Sequence, residues 1–227
     1  MTETGAEQTE LQNNRDVDLS QGDLKIKQQG INGQQIEWSQ LETSIQQCNK
    51  CQLHKTRKQA TVGRGNRSAE LMFILLSPDN CDDETGVLCN AEAKELFAKM
   101  LAAITLSIND VYITSLLKCS VPDHHTISAN EIHQCSEHLK QQIQLIQPKL
   151  LILLGETSTR CFLQKNLALD DFRTWINADY GNRASTENHF ESIPLFVSYS
   201  PHELLQQPEN KGKAWLDLQQ LQKITEA

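Results

Sequence analysis

The chain has 227 residues, of which 38% are hydrophobic and 5% are aromatic, and its formal net charge at pH 7 is -8. This length suits one packed domain with a tail and is short for two domains. The negative net charge argues against a uniformly basic nucleic-acid-binding surface but not against a local basic patch. No apolar run approaches the ~20 residues of a membrane helix and no signal peptide is evident, so we expect a cytoplasmic protein with no membrane partner and with reduced cysteines.

The first 36 residues are rich in Gln, Asn, Glu and Asp and contain few large apolar side chains. Such a composition cannot offset the entropy of ordering the chain, so residues 1–36 are predicted to be a disordered polar tail and residues 37–227 a single domain. Within the tail, residues 21–26 (QGDLKI) are either a short peptide that docks on a protein partner or part of a solvated linker.

A helical pattern begins at Trp38 and leads into a Cys-x-x-Cys motif formed by Cys48 and Cys51. The residues after this motif concentrate basic side chains, which on an acidic protein indicate either a phosphate-facing strip or a solvated basic loop. These candidate nucleic-acid-binding residues are Lys55, Arg57, Lys58, Arg64 and Arg67.

Strand and helix patterns alternate through the rest of the chain. Apolar runs at 71–76 and 149–154 have the composition of central parallel strands, and 111–113 and 193–199 are the other two predicted strands. This alternation predicts an α/β fold, a three-layer αβα sandwich with a four-stranded parallel sheet.

The predicted helices flank these strands. One runs from Ala91 to Ile104, and one starts at Ser128 with a capping box closed by Glu131 and an inward face that includes Cys135. Another begins near Thr157, residues 166–192 are predicted to be irregular, and a last helix over 213–224 is expected to pack through Trp215, Leu216, Leu218 and Leu221.

Four of the seven cysteines are suited to a common inorganic centre. Cys48 and Cys51 come from the Cys-x-x-Cys turn, Cys119 follows the second strand, and Cys135 lies on the buried face of a helix. A four-thiolate shell binds either zinc or an iron–sulfur cluster, and residue type alone does not choose between them. The other three cysteines, Cys81, Cys89 and Cys161, are interpreted as bystanders.

The carboxyl ends of two predicted strands carry polar side chains. Ser77, Pro78 and Asp79 follow the first strand and lead into an acidic loop that includes Asp83, and His202 follows the last strand. Ligands of open α/β sheets bind outside this edge, which is therefore the expected active-site edge.

Several motifs between residues 45 and 221 resemble the uracil-DNA glycosylase superfamily, most closely its iron–sulfur family 4: CNKCQLHKTR, VGRGN, VYITSLLKC, EIHQCSEHLKQQIQLIQPKLLILLG and SPHELLQQPENKGKAWLDLQQL. The resemblance implies a parallel sheet between helices and DNA, double-stranded or single-stranded, as the ligand. It also implies a [4Fe-4S] cluster on Cys48, Cys51, Cys119 and Cys135. Such proteins flip a damaged base into a pocket and hydrolyse its glycosidic bond.

The chain departs from the family pattern in the pocket. The family motif Gly-Glu-Ala-Pro-Gly is replaced by residues 75–79 (LLSPD), so Leu76 stands at the acidic position. By the same comparison Cys89 replaces the base-stacking aromatic residue, Ser115 the uracil-reading asparagine, and Ser200, before Pro201, the histidine of the His-Pro motif. These changes predict a protein that is impaired or inactive in uracil excision and retains at most DNA or partner binding.

Two alternatives remain open from the sequence. In one, the protein is an active DNA glycosylase with changed lesion specificity that uses Asp79, Asp83 and His202 as replacement catalytic groups. In the other, the four thiolates bind zinc and the domain is a protein-interaction scaffold.

Overall fold

The computed structural model describes residues 37–178 and 193–226. The predicted tail with its 21–26 segment therefore lies outside the described residues, as does the second half, 179–192, of the region predicted to be irregular. Within the described ranges, every helix is too short or too polar to cross a bilayer.

The described chain forms one mixed sheet of five strands in the order β1-β3-β2-β4-β5. Four strands are parallel to their neighbours, which confirms the predicted parallel sheet, and β1 is an additional strand antiparallel to β3. The strands are β1 (Arg64–Gly65), β2 (Leu71–Leu75), β3 (Tyr112–Ser115), β4 (Leu150–Leu154) and β5 (Leu195–Ser198).

The prediction missed β1 because it is short and depends on a glycine. Gly65 has φ +110°, and a Cβ there would lie 2.1 Å from the backbone oxygen of Val111. Only glycine permits this approach of the two strands, and such a contact is not visible in local hydrophobic periodicity.

The core is centred on β2 and β4, whose residues are buried along their whole length. They pair in register from Leu71 opposite Leu150 to Ile74 opposite Leu153. Since alternate side chains of a strand point to opposite faces, burial of every residue means that both faces of the sheet are covered, as expected for a sandwich of helices around it.

Eight α-helices lie in the described residues, together with two short 3₁₀ helices, Gln52–Lys55 and Pro208–Asn210. The α-helices are α1 (Trp38–Gln46), α2 (Asn80–Thr85), α3 (Ala91–Ala102), α4 (Ala129–Ile146), α5 (Glu156–Leu163), α6 (Leu169–Ala178), α7 (Pro201–Gln206) and α8 (Lys211–Thr225).

The start and the buried face of α4 are as predicted. The Ser128 side chain accepts the backbone N–H of Glu131, and the Glu131 carboxylate accepts the backbone N–H of Ser128 at 2.8 Å. The predicted inward residues are all buried, namely Ile132, Cys135, Leu139, Ile143 and Ile146.

Three local predictions were wrong. The acidic loop after β2 instead forms α2, because Asp79 caps its first turn by accepting the backbone N–H of Asp82. Part of the region predicted to be irregular is the regular helix α6. On α8, Trp215 and Leu216 are 45% and 61% exposed, and the helix packs through Ala214, Leu218 and Leu221 instead.

The outer edge of the sheet contacts a side chain of α6. The Asn177 amide donates to the backbone oxygen of Val197 at 2.8 Å and accepts the Val197 N–H at 2.9 Å. One side chain therefore satisfies both backbone groups of a residue in the edge strand β5.

Candidate active site and cysteine centre

A pocket of about 270 Å³ lies at the carboxyl ends of β2, β4 and β5. The chain passes from β2 to β3 on one side of the sheet order and then returns to β4 on the other side. This reversal is the topological switch point where ligands of open α/β sheets bind. The lining residues are Leu75, Leu76, Ser77, Pro78, Asp79, Leu154, Gly155, Thr157, Ser158, Ser200, His202, Glu203 and Gln206.

The structure brings Asp79 and His202 together at this pocket. Nε2 of His202 lies 2.7 Å from Oδ2 of Asp79, which joins the start of α7 to the start of α2. Burial raises the pKa of the Asp79 carboxyl, but hydrogen bonds from His202 and from the backbone of Asp82 outweigh burial and leave the pKa below its usual value. The pocket wall therefore carries an ionised carboxylate with an imidazole donor.

The second candidate acid, Asp83, has a different environment. It is 6% exposed, accepts the backbone N–H groups of Lys58 and Gln59, and is not among the described residues that line the pocket. Its neighbour Asp82 is fully buried and accepts the backbone N–H of Cys89 at 2.9 Å. Both carboxylates hold loop backbone in place around α2.

Position 200 lies at the pocket and serves as a helix cap. Ser200 Oγ accepts the backbone N–H of Glu203 at 3.2 Å, and Pro201 occupies the first turn of α7. The Glu203 carboxylate accepts the backbone N–H groups of Ser200 and Glu156, both at 2.9 Å. Burial raises the pKa of Glu203, although these hydrogen bonds oppose the effect.

Two of the predicted pocket residues are buried inside the protein. Cys89 is fully buried, and burial raises the pKa of its thiol to about 12. Ser115 is also fully buried, and its hydroxyl oxygen has no hydrogen-bond partner among the described residues. The part of the chain that the structure describes places neither side chain in the lining of the open pocket.

A buried lysine, which the sequence reasoning did not single out, supports the end of β3. Lys118 Nζ donates to Thr114 Oγ1 at 2.7 Å, to the Ser115 backbone oxygen at 2.6 Å and to Gln142 Oε1 at 2.7 Å. Burial lowers the pKa of Lys118 to about 7. A lysine that directly follows a run of buried apolar residues is the signal that was available in the sequence.

The four predicted ligand cysteines come from three segments that contact one another. Arg57 donates to Cys119 Sγ at 2.9 Å and to the Cys48 backbone oxygen at 2.7 Å. The backbone N–H of Lys118 donates to Cys135 Sγ at 3.3 Å. The segment of the Cys-x-x-Cys motif, the loop after β3 and helix α4 therefore meet at this place.

The electrostatics of the thiols also link the four cysteines. Burial raises the pKa of Cys119, and the charges of Cys51 and Cys48 raise it further, whereas Arg57 lowers it. Burial raises the pKa of Cys135 to about 12, with further contributions from Cys119 and Cys51. A cationic centre is what such a group of thiols needs in order to ionise.

The residue types at this place, four thiols, are those that bind a thiolate-ligated inorganic group. The four cysteines would supply the shell of such a group, and N–H donors point at two of their sulfurs, as is typical of the surroundings of iron–sulfur clusters and zinc–thiolate sites. Over 37–178 and 193–226, no three His, Cys, Asp or Glu side chains lie in an arrangement that could hold a metal ion.

Two cations of the predicted basic strip are turned into the protein. Arg57 is held by the cysteine segments, as described above. Arg64 donates to the Cys89 backbone oxygen at 2.9 Å, and its Nε is buried with no hydrogen-bond partner among the described residues.

The other three cations lie nearer to solvent. Lys55 is exposed, and Lys58, with 64% of its side chain exposed, forms an ion pair with Glu84. Arg67 lies over the Trp38 ring, 4.6 Å from its centroid, with 52% of its side chain exposed. These three side chains are the solvent-exposed part of the predicted strip.

One further buried side chain, His138, was missed by the sequence reasoning. It is 1% exposed, and neither of its ring nitrogens has a hydrogen-bond partner among the described residues. Burial, followed by the charges of Lys118 and Lys50, lowers its pKa to about 4. Its position three residues after Cys135 on the buried face of α4 was the available signal.

The fold and the pocket define a doubly wound α/β protein with a pocket at its switch point. The family model of the uracil DNA glycosylase superfamily matches residues 62–219. The chain belongs to this superfamily.

The relatives of the chain include three proteins named type-4 uracil-DNA glycosylase. The protein from Archaeoglobus fulgidus is 32% identical over 165 residues, which cover 73% of this chain and 81% of that protein. The protein from Saccharolobus solfataricus is 34% identical over 177 residues, 74% of this chain and 77% of that protein. The protein from Pyrobaculum aerophilum is 28% identical over 187 residues, 81% of this chain and 92% of that protein.

Proposed function

We propose that the protein is a DNA-binding iron–sulfur member of the superfamily whose uracil excision is impaired or absent. The proposal is based mainly on the identity and the contact of the residue at position 200. In the family pattern this position holds a histidine, and here Ser200 Oγ accepts a backbone N–H as the cap of α7.

Loss of this imidazole weakens the stabilisation of the departing base. Uracil leaves the sugar as an anion, and a preorganised donor near its oxygen is worth roughly 10²-fold or more in rate. Ser200 offers a single hydroxyl on a shorter side chain. Leu76 also lines the pocket and has no group that orients water. The two replacements remove leaving-group stabilisation and water positioning together.

A single-turnover assay on uracil-containing single-stranded DNA tests this proposal. The wild-type holoprotein is expected to form abasic sites no faster than a protein-free control. Introducing Leu76→Glu together with Ser200→His is expected to raise the rate, whereas Thr157→His, which adds an imidazole elsewhere on the pocket wall, should leave it unchanged. Rapid excision by the wild type would reject the proposal.

We propose Cys48, Cys51, Cys119 and Cys135 as the ligands of a [4Fe-4S] cluster. Its contribution is a rigid cross-link between the segment after α1, the loop after β3 and helix α4. Arg57 and the Lys118 backbone N–H support the assignment, because donors to sulfur stabilise the charge of such a group.

Metal analysis separates this cofactor from zinc. Anaerobically purified protein is expected to contain iron and sulfide and to absorb at ~400 nm, with Cys135→Ser losing the colour and Cys81→Ser keeping it. Colourless protein with stoichiometric zinc would instead support the interaction scaffold.

For DNA binding, the exposed cations near the Cys-x-x-Cys motif are the proposed contacts. Each phosphate contact contributes about 0.7 to the slope of log K against log salt for single strands and about 0.9 for duplex DNA. Replacing Lys55, Lys58 and Arg67 by Ala should therefore weaken binding and flatten the slope in a fluorescence anisotropy titration. Lys223→Ala, on α8, is the matched control, and an equal effect of this control would contradict the assignment.

The contact between Asp79 and His202 favours a second candidate, a glycosylase for a different lesion. The described lining of the pocket includes two carboxylates, those of Asp79 and Glu203, and no lysine or arginine. A base that is already cationic, such as an N-alkylated purine, suits this environment and leaves as a neutral molecule. The departure of such a base does not require the hydrogen-bond donor that a histidine at position 200 would supply.

In this reaction the C–N glycosidic bond breaks, and water adds to the sugar carbon while Asp79 accepts a proton from that water. Methylated DNA is the substrate to use, and released bases are measured by chromatography. Release above the spontaneous rate, abolished by Asp79→Asn and by His202→Ala but not by Asp171→Asn, would support this candidate. Release at the spontaneous rate would reject it.

A further inference from the structure

The buried imidazole of His138 lacks a hydrogen-bond acceptor. Its side chain is 1% exposed, and both ring nitrogens are without a partner among the described residues. Buried polar groups in folded proteins nearly always have a partner, since an unpaired N–H in an apolar interior is costly. The surroundings of His138 are therefore short of one acceptor.

The neighbours of the imidazole place it at the cysteine centre. His138 lies three residues after Cys135, a spacing that puts the two side chains on the same face of α4. The charges of Lys50, Lys118 and Arg57 all act on it. Lys50 lies inside the Cys-x-x-Cys motif, Lys118 donates its backbone N–H to Cys135 Sγ, and Arg57 donates to a second cysteine sulfur.

We propose that a ring N–H of His138 donates a hydrogen bond to a sulfur of the cluster held by the four cysteines. This inference rests on the cofactor proposed above. The sulfurs of Cys119 and Cys135 already accept donors from Arg57 and Lys118, so His138 adds another donor from the interior side of α4. Hydrogen bonds to sulfur stabilise the reduced cluster and raise its reduction potential. His138 is thus a positioning residue that sets the potential, and it is not a ligand.

The reduction potential of the holoprotein tests this role. Anaerobic redox titration followed by electron paramagnetic resonance is expected to give a lower midpoint for His138→Leu, which has no donor. His138→Gln keeps an N–H donor and should lie closer to the wild type. His133→Leu is the control, because position 133 is on the same helix but about 200° around it from Cys135.

A second measurement on protein labelled with ¹⁵N-histidine covers the case in which His138→Leu does not fold. Pulsed resonance of the reduced wild type should show a histidine nitrogen coupled to the cluster spin, and His138→Gln should lose this coupling. A wild-type midpoint in His138→Leu with full iron content would overturn the inference, as would a coupling that persists in His138→Gln. Protein that contains no iron would overturn the proposed cofactor and this inference together, and metal analysis tells the two failures apart.

Discussion

Breaking the ion pair between Arg173 and Asp217 should strongly destabilise the folded protein. Replacing both residues together should destabilise it much less. Arg173 Nε donates to Asp217 Oδ2 at 2.8 Å, and a second guanidinium nitrogen lies 2.6 Å from Oδ1. Ser198, the last residue of β5, donates to the same carboxylate at 2.7 Å. The pair therefore connects α6, α8 and the strand that leads to the pocket.

The magnitude follows from the burial of the carboxylate. Asp217 is 4% exposed, and burial raises its pKa despite the hydrogen bonds from Arg173 and Ser198. Arg173→Met leaves this carboxylate without its cation in a poorly solvated place, and breaking a buried pair in this way typically costs about 3–5 kcal/mol. That is a large part of the ~5–15 kcal/mol stability of a typical domain. The double variant Arg173→Met/Asp217→Leu has no unpaired charge and should recover much of the loss.

Urea denaturation monitored by circular dichroism provides the free energies of unfolding for the double-mutant cycle. Asp171→Ala, an exposed acid on the same helix α6, is the control and should unfold near the wild-type midpoint. The reasoning would be refuted if the double variant lost as much stability as the sum of the two single variants, because the pair would then carry no coupling energy.

Three further predictions concern caps, a glycine and pH. Ser128→Ala removes the cap of α4 and should lower the free energy of unfolding by about 1 kcal/mol in urea titrations, and an unchanged midpoint would contradict the capping role. Gly155→Ala places a Cβ 2.9 Å from Glu203 Oε1 at φ +95°, so a loss of about 1–3 kcal/mol is expected in the same assay, with a wild-type midpoint as the contrary result. Hydrogen bonds from Lys213 and Tyr199 lower the pKa of Asp170 to about 2, below its unfolded value of about 3.9. The resulting stabilisation is present above about pH 4 and is lost as pH falls through about 2, so Asp170→Asn should flatten this acid limb, whereas an unaltered limb would assign it to other carboxylates.

Local sequence patterns predicted most of the helices and strands, because each of these elements depends largely on its own residues. The apolar runs of β2 and β4 need two covered faces wherever they lie, and the capping box of Ser128 and Glu131 is complete within four residues. Patterns on partly buried helices were less informative. On α8 the apolar residues occupy more than one face, and contacts with β5 and the preceding 3₁₀ turn decide which face is buried.

The pocket edge was predictable, but the contacts within it were not. Strand ends gave the positions of Asp79 and His202, yet their 2.7 Å contact joins residues 123 apart in the chain. Arg57 was predicted as a surface contact for phosphate and instead reaches Cys119 across 62 positions. Side chains such as Lys118 and His138 acquire their environments only when α4 packs on the sheet, so composition and spacing could not assign them.

The amide of Asn177 also limits how these molecules can associate. At Val197 it occupies the donor and the acceptor that an incoming strand from another molecule would use to lengthen the sheet. Lateral growth at that end would first require α6 to detach, which makes the terminal strand a poor template for aggregation. A small polar side chain thus blocks an edge strand that could otherwise pair with a strand of another molecule.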